Sequence, residues 1–503
     1  MRSLFTLLTL VVCFSAQAQY SLQMHNINAV TGSSPHGYTP FNGKTYFMAS
    51  DTSHGEELWW SDGHSYGMVA DIFPGAPGGF GWQGFGENLC VLGNKLYFPA
   101  FDSAAGIEIF QYDGVNPPTV AFDLDTVAGT RAHLAALGGR LYFLATTSTA
   151  PGVQLWWFDP LTKSRGAISS TVTLSSQVPL HVFKNKLVFA GFDMGGTGVE
   201  LFEFDPQTAT IDLAADINPG GGSFPGSFHN INDVLFFLAT TSANGREMYM
   251  YDGFSQPERV TDIVPGTGSS FWNGFGFSQP EYGMAHYNNR IFFTADDGGP
   301  FSAHQLYAYD PAADSVMRVD SIASNQQAVK MAVYAKKLWF GADQAFTGSL
   351  FYYDHMADSV ADFNTVNIDT LWSAPGDLTL SNGMLFFSNF EINSPFGGTE
   401  PFVLIDSVAL TVKSVSFDGE VIAYPNPTNG DATLRIILNE AAKLNIMMVD
   451  MTGKLVYNSG MKQYTATANE ATLPMNQLPA GNYVYAIVDD GGKLMYRGKL
   501  VKE

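Results

Sequence analysis

Glu57-Leu58-Trp59-Trp60-Ser61-Asp62-Gly63 decides the fold, because the chain repeats it. The same frame returns at residues 108–113, 154–159, 200–205, 247–252, 305–310 and 349–354, and, shifted by one, at 400–406. A further strand precedes each copy, beginning with Lys44-Thr45-Tyr46-Phe47 and Lys95-Leu96-Tyr97-Phe98 and ending with Met384-Leu385-Phe386-Phe387. From Phe47 to Phe387 the period averages about 49 residues, within the range of propeller repeats. Upstream of these strands stand turn pairs such as Asn42-Gly43, Gly138-Gly139, Asn288-Asn289 and Asn382-Gly383, which tolerate the positive φ of two-residue hairpins. Downstream comes a fourth strand with an Asp and a Pro-Gly exit, as in Val69-Ala70-Asp71-Ile72-Phe73-Pro74-Gly75 and Thr261-Asp262-Ile263-Val264-Pro265-Gly266.

The unit is four antiparallel strands with no helical period. Both faces of the opening motif are apolar: Phe202 and Phe204 lie on one side with Leu201 opposite, and Tyr249 and Tyr251 oppose Met248 and Met250. Strands covered on both sides fit blades packed between neighbouring blades. The fold class is therefore all-β, a β-propeller over residues 19–418. Eight blades are expected, with seven and a degenerate terminal unit as the alternative. A fourth-strand pattern before the first unit, at residues 23–30, can zip into the last blade and close the ring, which would leave residues 411–417 as linker.

Composition sets outer bounds. Hydrophobic residues make up 46% and charged residues 14% of the chain, the apolar ones in short strand-length runs. Asp plus Glu outnumber Lys plus Arg by 47 to 25, a net charge of −22. That charge argues against nucleic acid and anionic membranes as partners, and suits neutral glycans, divalent cations or basic proteins. Residues 1–18 read as an export signal, with Arg2, an apolar core over 4–14 and the cleavage site Ala16-Gln17-Ala18. The apolar core is shorter than the about 20 residues that a membrane span needs, and no later segment comes nearer. Cleavage leaves Cys90 as the sole cysteine, so stability must come from packing rather than an internal disulfide.

The repeats resemble the ELWxxDGT family of bacterial exported propellers, whose core residues 57–63 match; other copies carry Tyr or Phe for Trp and Asp-Pro for Asp-Gly. The resemblance implies the fold and export, and no activity.

After Val421 the rhythm changes. Strands are expected over 432–438, 443–449, 454–458, 483–488 and 493–501, forming a small Ig-like β-sandwich over residues 419–503. Tyr424-Pro425-Asn426-Pro427, Leu478-Pro479-Ala480-Gly481-Asn482-Tyr483 and the basic C-terminal end resemble the type A C-terminal sorting domain of the type IX secretion system. That resemblance assigns Pro425, Asn426, Pro427, Leu478, Pro479, Ala480, Gly481 and Tyr483 to a sorting motif. It implies the type IX machinery as partner, passage across a Gram-negative outer membrane, and release or attachment at the cell surface.

Candidate binding residues lie on two glycine-rich aromatic loops, as Trp82 and Phe85 on the first and Phe271, Trp272 and Phe275 on the second. Such rings can stack on sugars or anchor a protein partner, or fold back and cap the seam between blades. The repeated Asp (Asp62, Asp113, Asp159, Asp205, Asp252, Asp310, Asp354 and Asp406) reads as turn chemistry, since Gly or Pro follows it in most copies. Asp296 and Asp297 are the local candidates for calcium, although neither sits in a twelve-residue calcium loop; no other metal or cofactor is expected. No catalytic residue is assigned. The expected role is binding, adhesion or scaffolding outside the cell, toward a glycan or surface protein. The alternative is an extracellular hydrolase or lyase working in the propeller channel.

Overall fold

The computed structural model describes residues 20–74, 78, 89–102, 106–123, 133–147, 150–168, 171–174, 179–193, 196, 198–271, 282–298, 304–324, 330–344, 347–363, 375–391, 398–406, 419–438, 440–450, 455–489 and 494–502. Every regular element among them is a β-strand. The chain divides into two compact units, Met1–Ser407 and Val408–Glu503. Residues 411–417, the expected linker, lie outside the described residues.

In the first unit the described residues form eight antiparallel sheets. Blade 1 shows the pattern, with His36–Phe41, Lys44–Asp51, Gly55–Ser61 and Tyr66–Ala70 hydrogen-bonded in that order. Turn chemistry makes the first hairpin: Asn42 and Gly43 have φ of 45° and 74°, the left-handed pair that matches strand twist. The same two turn positions have positive φ at Gly138 and Gly139, Asn288 and Asn289, and Asn382 and Gly383. In blade 4 a short extra strand, Val172–Leu174, also joins the second strand, Lys186–Asp193.

Alternation of apolar side chains stacks the blades into a ring. Phe202 and Phe204 of blade 4 pack toward Tyr142 and Leu155 of blade 3. Leu201, one residue away, points to the opposite face and packs with Leu235 and Phe237 of blade 5. Corresponding clusters join blades 1 and 2, 2 and 3, 5 and 6, 6 and 7, and 7 and 8. The ring closes through Phe47 and Trp59 of blade 1 against Phe386 and Val403 of blade 8. The described residues thus form eight blades.

Blade 8 is completed from the other end of the unit. Tyr20–Met24 pairs antiparallel with Gly398–Asp406, placing Tyr20 opposite Asp406 and Met24 opposite Phe402. The closing strand therefore starts earlier than the 23–30 pattern suggests. Ile27 and Asn28 instead occupy the exit segment that follows a fourth strand, where their N–H groups bind Glu400.

The second unit is a β-sandwich. Gly419–Tyr424, Ala432–Leu438 and Ala468–Leu473 form one sheet; Leu455–Tyr464, Ala442–Asp450, Gly481–Asp489 and Leu494–Lys502 form the other. Strict alternation in Ala432–Leu438 turns Leu434 and Ile436 inward, against Leu444, Ile446, Ile487 and Leu500.

Candidate functional site

The first residue of the repeat motif has a structural task that its recurrence alone does not reveal. Glu57, Glu200, Glu247 and Glu400 are all buried. Each carboxylate accepts hydrogen bonds from the exit segment of its own blade. Glu57 accepts from the N–H groups of Ile72 and Phe73 at 3.1 and 3.3 Å. Glu200 accepts from Ile217 N–H at 2.8 Å and from the Ser223 hydroxyl at 2.6 Å. Glu247 accepts from the hydroxyls of Thr261 and Ser270 at 2.6 and 2.7 Å, and Glu400 from that of Ser33 at 2.7 Å. The serine then reaches onward: the carbonyls of Ser33, Ser223 and Ser270 accept Ser50, Thr240 and Asp296 N–H from the following blade. Each Glu–Ser pair thus ties one blade to the next.

The repeated Asp of the motif caps a turn, as its sequence context suggests. Asp62 accepts the N–H groups of His64 and Ser65, Asp159 those of Leu161 and Thr162, Asp252 those of Phe254 and Ser255, and Asp310 those of Ala312 and Ala313. Cations at the start of the second strands brace the same edge. Lys44 lies over the Trp60 ring at 3.5 Å, Arg140 over Trp157 at 4.4 Å and Lys337 over Tyr352 at 3.8 Å.

These two carboxylate families titrate in opposite senses. Burial pushes Glu200 and Glu247 above their ordinary 4.5, so their contribution is full below that value and is lost as pH rises through their folded range. Hydrogen bonds from Asn116 hold Asp113 down at about 2, and backbone N–H groups lower Asp159 and Asp252. Their contribution is full above 3.8 and is lost as pH falls through the folded range. Calorimetry should therefore find that the melting-temperature advantage of the wild type over Glu247→Gln falls as pH rises above 4.5; an advantage that grows with pH would refute this assignment.

The two faces of the propeller differ. Turns between third and fourth strands of blades 1 to 7 open on one face; His64, Gln207 and Ala312 stand at the tips of blades 1, 4 and 6, and the other four tips carry large apolar side chains. Val115, Leu161, Phe254 and Met356 are 84%, 93%, 86% and 91% exposed, each two residues after the repeated Asp. The first strands of neighbouring blades lie against one another and line the centre. There Val91 and Leu380 are exposed with Pro40, while Asn230 and His286 supply polar groups. His181 Nε2 lies 3.0 Å from Asn230, His229 Nε2 lies 2.8 Å from the Tyr282 carbonyl, and Lys330 pairs with Asp377 at 2.5 Å. Burial lowers the pKa of both His181 and His229.

Of the loop aromatics, Phe271 is fully buried, edge-on to Tyr282 at 5.3 Å and beside Phe293 at 5.9 Å. It follows Ser270, which donates its N–H and hydroxyl to Glu247. Trp82, Phe85, Trp272 and Phe275 lie outside the described residues. Asp296 caps Gly298 N–H, and Asp297 faces Arg318 at 3.3 Å. Among the described residues no three His, Cys, Asp or Glu side chains gather as a metal site.

In the second unit each half of the sorting-motif candidate makes its own contacts. Asn426 clamps the last strand, donating from Nδ2 to the Lys499 carbonyl and accepting Val501 N–H through Oδ1, both at 2.9 Å. Thr428 N–H donates to the Val501 carbonyl, and Lys502 Nζ donates to the Asn429 carbonyl at 2.6 Å. Tyr483, buried, donates its hydroxyl to the Pro479 carbonyl at 2.8 Å, closing the second half of the motif on itself. Pro425 and Pro427 flank Asn426. Residues 422–503 match the family described as the secretion system C-terminal sorting domain. This region is a type IX sorting domain. It directs the chain through type IX secretion to the cell surface or the extracellular space.

No curated protein matches the chain. Among solved structures it is similar to PorZ, an essential bacterial surface component of the type IX secretion system of Porphyromonas gingivalis. That likeness has 14% identity over 92% of this chain and 64% of PorZ, with a TM-score of 0.37. A puromycin-hydrolysing peptidase of Mycobacterium tuberculosis matches at 10% identity over 73% of this chain and 60% of the peptidase, with a TM-score of 0.44. The chain spans less than two thirds of either structure, and scores this low carry no functional argument. Among the described residues no helix is long and apolar enough to cross a membrane.

Proposed function

We propose that this protein is an ELWxxDGT-type propeller that works outside the cell as a binding, adhesion or scaffold module. The leader at residues 1–18 delivers it to the periplasm, and the type IX machinery carries it across the outer membrane. The observation that carries the binding role is the set of exposed tips at Val115, Leu161, Phe254 and Met356. The repeated Glu and Asp positions serve the fold, whereas these tips are large apolar groups held in water at one repeat position on one face. Apolar points set among cations, such as Phe254 with Lys184 at 4.9 Å, suit a glycan or a surface protein.

A glycan and surface-polymer screen of the full chain, with and without calcium, tests this reading. Replacing the four tips by Ser should weaken retention about tenfold or more while leaving melting within a degree or two, because exposed side chains contribute little to stability. A parallel Trp82→Ala/Trp272→Ala variant addresses the aromatic loops. Retention unchanged in both variants, or absent from the wild type, would exclude the contact role.

A further inference from the structure

Arg246 is a fully buried cation whose hydrogen-bonding fork is empty. It sits in the third strand of blade 5, Gly245–Tyr251. Nη1 donates to the Phe224 carbonyl at 3.0 Å and lies 3.5 Å from the Thr240 hydroxyl. Nε and Nη2 have no partner among the described residues. Those two N–H groups leave the same edge of the guanidinium in parallel, the geometry that grips both oxygens of a carboxylate. Burial lowers Arg246 to about 10, so it stays charged at neutral pH. The neighbouring carboxylate, Glu247, faces away and is engaged by Thr261 and Ser270. A buried charge without a counter-charge is strongly unfavourable.

The fold leaves room for that counter-charge. Among the described residues, a Cβ added at Gly226, the half-buried first residue of the innermost strand, would meet Arg246 Nη2 at 3.7 Å and no other non-neighbouring atom within 4 Å. Blade 1 shows the same place filled. His36 pairs with Met48 as Gly226 pairs with Leu238. Its ring comes within 3.6 Å of Glu56, which stands in register with Arg246. Blade 5 has the charge and lacks the partner.

We propose that Arg246 and the gap beside Gly226 form a carboxylate-binding site at the inner end of blade 5, entered from the central channel. One planar carboxylate occupies the Nε/Nη2 fork, supplied by a small free acid or by a sugar acid. The site is independent of the exposed turn tips and lies toward the other face.

The test is thermal melting of the full chain at neutral pH and constant ionic strength, with sodium formate replacing sodium chloride. Formate should raise the melting temperature saturably, by about 2 °C or more. Arg246→Met should abolish the dependence. Gly226→Asp should abolish it too, because the carboxylate is then part of the chain, and this variant tests the idea even if Arg246→Met fails to fold. A larger shift with galacturonate than with formate would identify a sugar acid; a shift with formate alone would restrict the site to small acids. Equal melting in formate and chloride, or a formate effect that survives Gly226→Asp, would overturn the proposal.

Discussion

Glu247→Ala is expected to lower the free energy of unfolding by about 3–5 kcal/mol, because three buried hydrogen bonds lose their acceptor at roughly 1–3 kcal/mol for each unsatisfied donor. The carboxylate is fully buried and accepts from Thr261, from the Ser270 hydroxyl and from Ser270 N–H, the last at 3.1 Å. Truncation leaves those donors inside the protein without an acceptor. The damage is not confined to one blade. Ser270 Oγ also accepts Ile263 and Val264 N–H, and its carbonyl receives Asp296 N–H from blade 6. Glu247→Gln keeps one acceptor oxygen and should cost less, about 1–2 kcal/mol. Urea unfolding of the three proteins measures both values; a loss under 1 kcal/mol for the alanine variant would mean the staple is dispensable.

Removing residues 20–28 should be as severe or worse, about 5 kcal/mol or more, comparable with the whole stability of an ordinary domain. The deletion takes a complete edge strand from blade 8, whose register runs from Tyr20–Asp406 to Met24–Phe402. It uncovers Trp339, which is fully buried and meets the Tyr20 ring edge-on at 5.2 Å, and Phe363, at 5.8 Å from the same ring. It also removes Ile27 and Asn28 N–H from Glu400, which retains the Ser33 hydroxyl as a donor. Calorimetry should show a broadened, lower transition, and a peptide of residues 19–34 added in trans should restore part of it. A truncated protein that melts like the parent would rule out closure by this strand.

The repeat made most of the propeller legible. Period-two alternation put Phe202 and Phe204 on one face and Leu201 on the other, and the structure packs them against different blades for that reason. Asn-Gly and Gly-Gly pairs marked hairpins because few residues accept positive φ. Other features depend on contacts distant in sequence. The closing strand is read late because Ile27-Asn28 imitates the exit Ile72-Phe73, whereas pairing itself begins at Tyr20. Ala468–Leu473 is a strand although Ala, Asn and Glu are weak strand formers; pairing with Ala432–Leu438 overrides propensity. The role of the repeated glutamates is not legible in the sequence, because only the fold shows serines over twenty residues on returning to them. Their recurrence ahead of buried strands was the available signal. Phe271, an aromatic among glycines that suits either a contact or a cap on the seam between blades, is buried beside Tyr282 and Phe293.

A disulfide across the ring seam tests the closed eight-bladed platform most directly. Ser21 and Ile405 are register partners, and Cα atoms paired across antiparallel strands stand about 4.5–5.5 Å apart, within disulfide reach. Burial pushes the Cys90 thiol up to about 12, so it competes little. In the full chain, Ser21→Cys with Ile405→Cys should oxidise to one intramolecular bond under mild conditions and raise the melting temperature. Free thiols after oxidation, or disulfides formed only between molecules, would contradict a ring closed by its own first strand.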